Sequence, residues 1–203
     1  TFVLDEYYLG KTCSGTYPVL LRDLEEISSG NYKEVCYCLH PDTAIPLLNG
    51  TISTIKELAD KWTSDPQPFW VYSVTSDGDI IPALAQEPRC TGEDDYYKVT
   101  LDDGTHFTGN ARHQMVMRNG NKKMIQDFEV GDSIMPFTTK KSKRGQGRRI
   151  EGYELILNPK TELFEYTHKI AAEFSSGPID SRYRVIHHAD FHKLNNEPTN
   201  LKV

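Results

Sequence analysis

Three kinds of residue in this chain could do chemistry. Cysteine occurs at positions 13, 36, 38 and 90. Histidine is grouped with other polar residues in two places. One is Asn110-Ala111-Arg112-His113, and the other is the adjacent pair His187-His188, followed by Asn195, Asn196 and Asn200. Lysine and arginine concentrate in one run from Lys140 to Arg149. A thiolate is a nucleophile, an imidazole moves protons near neutral pH, and a carboxamide can hold an oxyanion. Cationic side chains in a polar, Gly-containing segment can meet phosphates. Packing competes with each reading. A free cysteine is commonly a small core residue, and adjacent histidines on a strand point to opposite faces. Cys36-x-Cys38 with His40 could form half of a zinc site. Structural zinc needs a second ligand pair and wider cysteine spacing, so zinc is not assigned, and Cys90 is assigned nothing.

The elements that must position these residues follow from composition and period. With 203 residues the chain can hold one medium domain or two small ones. A hydrophobic fraction of 37% and a charged fraction of 26% are ordinary for a globular chain. No apolar run reaches the about 18 residues of a membrane helix, and Thr1–Glu6 lacks the basic start and apolar core of a signal peptide. Irregular cysteine spacing argues against a disulfide scaffold and fits a reducing cytoplasm. The net charge of −6 hides the basic run at 140–149. The missing initiator Met reads as a fragment.

Along the chain, Leu20, Leu24 and Ile27 predict a helix that ends at Ser28-Ser29-Gly30-Asn31, and Glu34–Tyr37 predicts a short strand. Two such elements cannot bury a core alone. Asn49-Gly50 predicts a hairpin turn. Ser53–Glu57 carries a capping box, with Ile55, Leu58 and Trp62 on one helical face. Strands are expected at Phe69–Val74, Ile80–Leu84, Tyr97–Leu101, Thr105–Thr108 and Gln114–Met117, with Val130–Pro136 closing the series. This is an all-β pattern. After the basic run come a strand at Tyr153–Leu157, a helix at Thr167–Phe174 stopped by Gly177-Pro178, and a strand at Tyr183–His188.

Cys38-Leu39-His40-Pro41-Asp42-Thr43 resembles the start of an intein, a self-splicing element of the Hint fold. The Val71-Tyr72-Ser73-Val74 strand, the Asp102-Asp103-Gly104 turn and the His113 that follows it match that family's order of blocks. Glu129–Ile134 resembles its Val-Gly-Asp turn. The resemblance implies that Cys38 attacks the Tyr37 carbonyl and converts the Tyr37–Cys38 amide into a thioester. His113 would deliver a proton to the leaving nitrogen or strain the bond by hydrogen bonding to it. Asn110 stands where the family carries Thr and would hold the oxyanion. No cofactor is implied for splicing. Residues 1–37 resemble, through one helix and one strand, the segment ahead of the P-loop in a phage terminase large subunit. They would be the host's N-extein segment.

His187-His188-Ala189-Asp190, Asn195-Asn196 and Pro198-Thr199-Asn200-Leu201 resemble HNH homing endonucleases. The resemblance implies a small α+β domain of ββα type around one divalent metal, Mg²⁺ or similar. His187 would be the metal ligand, His188 the general base toward water, and Asn200 the residue that pins the loop. Lys140, Lys141, Lys143, Arg144, Arg148 and Arg149 are candidates for contact with double-stranded DNA.

The expected organisation is a host segment at 1–37, the N-terminal half of a Hint domain at 38–138, a basic linker at 139–150, and an HNH domain at 151–203 that stops before its last motif residue. A fragment of this kind would lack the C-terminal intein half, would act on its own flanking exteins, and would cleave DNA poorly or not at all. It would be cytoplasmic, from a phage or prophage in a bacterial host, with no membrane partner. Two other classes share the motifs. One is a Hint-type autoprocessing module that releases an HNH effector. The other is a DNA-binding remnant without catalysis.

Overall fold

The computed structural model describes the backbone of residues 2–7 and residues 39–75, 77–90, 95–143, 150–180 and 182–203. Cys38, the expected helix at Leu20–Ile27, the expected strand at Glu34–Tyr37, and Arg144, Arg148 and Arg149 lie outside them. Among the described residues the chain is mainly β, with short strands and two α-helices. No helix among them is long and apolar enough to cross a membrane.

The strands in chain order are β1 (Phe2–Tyr7), β2 (Ala44–Pro46), β3 (Ile52–Thr54), β4 (Phe69–Val74), β5 (Ile80–Cys90), β6 (Tyr96–Thr100) and β7 (His106–Asn110). They continue with β8 (Gln114–Val116), β9 (Lys122–Met124), β10 (Thr139–Lys141), β11 (Glu154–Leu157), β12 (Phe164–Tyr166), β13 (His187–His188) and β14 (Leu201–Lys202). The helices are α1 (Ile55–Ser64) and α2 (Thr167–Ser176). Two compact units emerge. The first is Thr1–Ile45, Ile52–Phe69 and Leu84–Met135; the second is Pro46–Thr51, Trp70–Ala83 and Pro136–Val203. Compactness therefore groups residues across the boundary read at 138–151. The segments 46–51 and 70–83 belong with the C-terminal residues.

In the first unit β6 and β7 form a hairpin, with Tyr96 opposite Asn110 and Thr100 opposite His106. Asp103 shapes its turn. The Asp103 carboxylate accepts from the Thr105 backbone N–H at 2.8 Å and from the Thr105 hydroxyl. β8 and β9 form a second hairpin around Asn119-Gly120. The capping box appears as the sequence predicts. The Thr54 hydroxyl accepts from Glu57 N–H at 3.1 Å, and the Glu57 carboxylate accepts from Thr54 N–H at 2.8 Å. This satisfies two orphan donors at the start of α1. Ile55, Leu58 and Ala59 are buried, so the apolar face of α1 serves the core.

A backbone pattern recurs in register along the chain. Thr43 N–H donates to His40 O, as His113 N–H does to Asn110 O. Ile55 N–H donates to Thr43 O, as Ile125 N–H does to His113 O. Leu47 N–H closes its turn on Thr51 O, as Met117 N–H does on Asn121 O. Asn-Gly occupies both turns, and Gly50 and Gly120 both take positive φ. Ile55 and Ile125 are both buried. The 40–55 and 110–125 segments are thus two copies of one supersecondary unit.

In the second unit β10, β11 and β12 form an antiparallel sheet with β11 central. Leu48, Ala171, Ala172, Ile179 and Leu201 form a core cluster against which Trp70, Tyr72 and Ile186 pack. α2 ends at Gly177, as the Gly-Pro pair predicts. The expected strand at Tyr183–His188 is shorter than its apolar pattern suggests. Only His187 and His188 pair, opposite Lys202 and Leu201. Tyr183 and Val185 are exposed and have no strand partner among the described residues.

Candidate functional site

The first candidate site lies at the N-terminal starts of the two copies of the repeated unit. Leu39 pairs with Gly109 in an isolated antiparallel bridge, and His40 N–H donates to Thr108 O at 3.4 Å. The His40 ring packs edge-on against Tyr96, 5.0 Å between centroids. Asn110, at the end of β7, is 1% exposed. His113 is anchored through its backbone on both sides, donating to Asn110 O at 3.1 Å and accepting from Ile125 N–H at 2.9 Å. Its Nδ1 is buried and has no hydrogen-bond partner among the described residues. Burial pushes its pKa down to about 4, because removing the ring from water disfavours the cation. At neutral pH the imidazole is neutral and can accept a proton. Gly109 makes this approach possible. A Cβ there would stand 2.8 Å from Ile125 Cδ1 and 3.2 Å from His113 Cβ. Leu39 is therefore bridged to Gly109, the chain neighbour of Asn110, whose carbonyl holds His113. Cys38, the residue before Leu39, lies outside the described residues.

The second candidate site surrounds β13 and β14. His188 is buried and His187 is exposed, the alternation that a strand imposes. The His188 ring packs beside Tyr153 and His168, with centroids 5.6 and 5.4 Å away. Its Nε2 lies 3.4 Å from Asn196 Oδ1. Asn196 is fully buried. Its Nδ2 donates to Leu194 O at 3.2 Å and to Glu154 Oε1 at 3.4 Å, and its N–H donates to Leu48 O at 2.6 Å. The Tyr72 hydroxyl donates to the same Glu154 oxygen. Burial, then the Glu154 charge, pushes the Tyr72 hydroxyl pKa upward. His168 has a buried Nδ1 without a hydrogen-bond partner among the described residues. Burial first, then His188, pulls its pKa down to about 4.

The loop after His188 is closed by Asn200. Its Nδ2 donates to Asp190 Oδ1 and to Asn195 O, both at 2.9 Å, and its Oδ1 accepts from Asp190 N–H at 3.1 Å. Its backbone carbonyl accepts from Ala189 N–H at 2.8 Å. The Asn195 side chain and the His192 N–H also donate to the Asp190 carboxylate, at 2.7 and 2.8 Å. These hydrogen bonds, those from Asn195, His192 and Asn200 in turn, hold Asp190 down at about 2.

The described residues do not by themselves make a divalent-metal site. Among the described residues no three His, Cys, Asp or Glu side chains gather as a ligand set. His187 stands directly opposite Lys202 on the paired strand, which brings an ammonium rather than a second ligand to that face. Lys140, Lys141 and Lys143 are exposed on and just after β10. The Lys140 ammonium lies 3.3 Å above the Phe164 ring.

Sequence reasoning assigned no role to Glu154, Tyr72, His168 or Asn196. Asn196 carried a signal as part of the Asn-Asn pair, and Tyr72 carried one only as part of the Val71–Val74 strand. The others sit in a strand and a helix whose apolar pattern hides a polar partner far away in the chain.

No family model matches the chain. Among curated proteins it is similar to the DNA gyrase B protein of Synechocystis sp. PCC 6803, 29% identical over 169 residues. That alignment takes in 81% of this chain and 16% of the gyrase protein, so the chain spans a small part of that protein's length. Among solved structures it is similar to a DnaB intein from Synechocystis sp. PCC 6803. The identity is 18% and the TM-score 0.44, over 49% of this chain and 67% of the intein chain.

Proposed function

We propose that the chain carries the N-terminal splicing segment of an intein, in which Cys38 attacks the carbonyl of Tyr37. The observation that carries this reading is the Leu39–Gly109 bridge, set beside a buried His113 whose Nδ1 has no hydrogen-bond partner among the described residues. A neutral imidazole can take the proton from Cys38 Sγ. The thiolate then adds to the Tyr37 carbonyl carbon, and the oxyanion is met by a carboxamide such as that of Asn110. As the C–N bond breaks, the imidazolium returns the proton to the departing nitrogen. The product is a thioester between Tyr37 and Cys38 Sγ with a free α-amine at Cys38, and no proton is gained or lost overall. The depressed basicity of His113 suits a relay of this kind, because the imidazolium formed in a dry site gives its proton up readily.

The test is incubation of the whole chain with excess dithiothreitol. An added thiol exchanges with the thioester and releases residues 1–37. Cleavage at Tyr37–Cys38 that disappears in Cys38→Ala is expected. Release that persists in Cys38→Ala, or no release from the unaltered chain, overturns the reading.

We further propose that residues 151–203 act as an HNH-type nuclease on double-stranded DNA, with His188 as the base toward water and Lys140, Lys141, Lys143, Arg144, Arg148 and Arg149 meeting phosphates. The oriented, buried His188 supports this, together with the loop pinned by Asn200. The ligand shell around His187 is not complete among the described residues, so no step is drawn through a metal. Metal-dependent nicking of supercoiled DNA that is lost in His188→Ala is the supporting result. Equal nicking by His188→Ala would remove the proposal.

A further inference from the structure

A partly buried chain of hydrogen bonds runs Tyr72–Glu154–Asn196–His188 through the second unit. Each link restricts the next. A carboxamide can offer either an oxygen or an NH₂ to a neighbour. Both acceptors around Asn196 Nδ2, the Leu194 carbonyl and the Glu154 carboxylate, require the NH₂ on their side. The oxygen of Asn196 is left to face His188. An oxygen acceptor selects a ring nitrogen that bears hydrogen, so the neutral ring carries its proton on Nε2 and its lone pair on Nδ1. Ring rotation could undo this choice, but Tyr153 and His168 pack beside the ring. Glu154 is itself held by the Tyr72 hydroxyl, so the amide orientation rests on a charge-assisted partner.

We infer that Asn196 is a positioning residue that fixes His188 as the Nε2–H tautomer and makes Nδ1 the atom that would accept a proton. The consequence for DNA cleavage rests on the nuclease reading above; the tautomer does not. Tyr72 and Leu48 lie in segments read from sequence as belonging to the splicing half. The side chain of one and the carbonyl of the other hold Asn196 in place. The base of the proposed nuclease is therefore oriented by residues outside 151–203.

The test uses the whole chain with ¹⁵N-labelled histidine, and reads the imidazole nitrogens of His188 by two-bond ¹⁵N–¹H correlation, assigned with His188→Gln. The expected result is an Nε2 signal of pyrrole type and an Nδ1 signal of pyridine type in the unaltered chain. Asn196→Ala should move both toward the averaged values of a free imidazole and lower nicking by roughly 10- to 100-fold. Tyr72→Phe should leave the tautomer biased the same way but less completely. An Nδ1–H ring in the unaltered chain overturns the inference without any variant, so a misfolded Asn196→Ala cannot shelter it. A tautomer unmoved in folded Asn196→Ala overturns it as well. A locked Nε2–H ring in a chain that never nicks DNA removes the nuclease reading and leaves the tautomer inference standing.

Discussion

Two histidines, one in each compact unit, occupy opposite electrostatic situations. His113 is tied through its backbone, while its ring nitrogen Nδ1 is buried and without a partner among the described residues. His188 has its Nε2 set against Asn196, and that amide is committed to Glu154 and Leu194. A buried polar atom without a partner costs about 1–3 kcal/mol, so the first arrangement makes sense where a substrate group supplies the partner. The second is satisfied within the fold and serves orientation. Under the proposed function, the contrast separates a site that would take a peptide bond from one that would present a fixed lone pair.

The sharpest way to break the comparison is to remove each ring and read the same reaction. His113→Ala should lower dithiothreitol cleavage at Tyr37–Cys38 by roughly 10²- to 10⁴-fold, the range of a lost general acid–base group. His188→Ala should leave that rate within about twofold. A loss of similar size in both variants would mean that the imidazoles act through stability alone, which thermal melts of the two variants would reveal.

Acid should expose a cost that the two units share. His113 and His168 are both held down to about 4, chiefly by burial, against an unfolded value of about 6.5. Above that value neither state binds the proton, and the stability linked to these rings is fully present. As pH falls toward 4, the unfolded chain takes up protons that the folded chain refuses, so stability is lost across that window. A fully expressed shift of this size is worth on the order of 3 kcal/mol per ring. Urea midpoints from pH 7.5 to 4 should fall, and His113→Gln and His168→Gln should each flatten the slope. Asp190, held near 2, keeps its contribution above its unfolded value of about 3.8 and loses it only as pH falls toward 2. It therefore does not blur the histidine window. An unchanged slope in His113→Gln would show that its ring is solvated.

Glycine substitutions distinguish the two units by what obstructs the new methyl. At Gly50, with φ +84°, a Cβ would stand 2.8 Å from the Leu194 carbonyl oxygen. Backbone cannot swing aside, and positive φ strains any L side chain. Gly50→Ala should cost about 2–4 kcal/mol by chemical denaturation. At Gly109 the nearest atom is the tip of Ile125, at 2.8 Å, and His113 Cβ follows at 3.2 Å. Gly109→Ala should cost less stability and more chemistry, because His113 must move by a few tenths of an ångström. The ratio of cleavage rate to stability loss is the measurement. Equal ratios in the two variants would contradict the placement of Gly109 against the His113 ring.

What the sequence made legible was local. The Thr54–Glu57 capping box, the Asn49-Gly50 and Asp103-Gly104 turns and the Gly177 helix stop depend on neighbours within a few residues, and all appear as read. Leu39 bridges to Gly109, beside Asn110, on a β7 whose return is fixed by a hairpin turn. The unreadable parts depend on pairing between distant segments. The strand expected from Tyr183 shrank to two residues because only β14 lies beside it. The grouping of 46–51 and 70–83 with 136–203 rests on Leu48, Trp70 and Tyr72 packing on a cluster built largely by α2 and β14. An apolar alternation announces a buried face, but not which distant residues will cover it. Glu154 escaped notice for the same reason, since a lone carboxylate in a strand pattern reads as the solvent face.

The smallest effect tests which region owns Tyr72. By sequence it belongs to a strand that resembles a splicing block; by contact its hydroxyl serves Glu154 beside Asn196. Tyr72→Phe keeps the ring that packs 5.0 Å from Phe137 and against the Leu48 cluster, and removes one hydrogen bond to a half-buried carboxylate. Glu154 retains the Asn196 amide as a donor, so the loss should be about 1–2 kcal/mol by urea denaturation. Dithiothreitol cleavage at Tyr37–Cys38 should not change, because Tyr72, Glu154, Asn196 and His188 all fall in the second unit, whereas Leu39, Gly109 and His113 fall in the first. A cleavage rate that falls with the hydroxyl, at constant stability, would join the two histidine sites into one system and end the contrast between them.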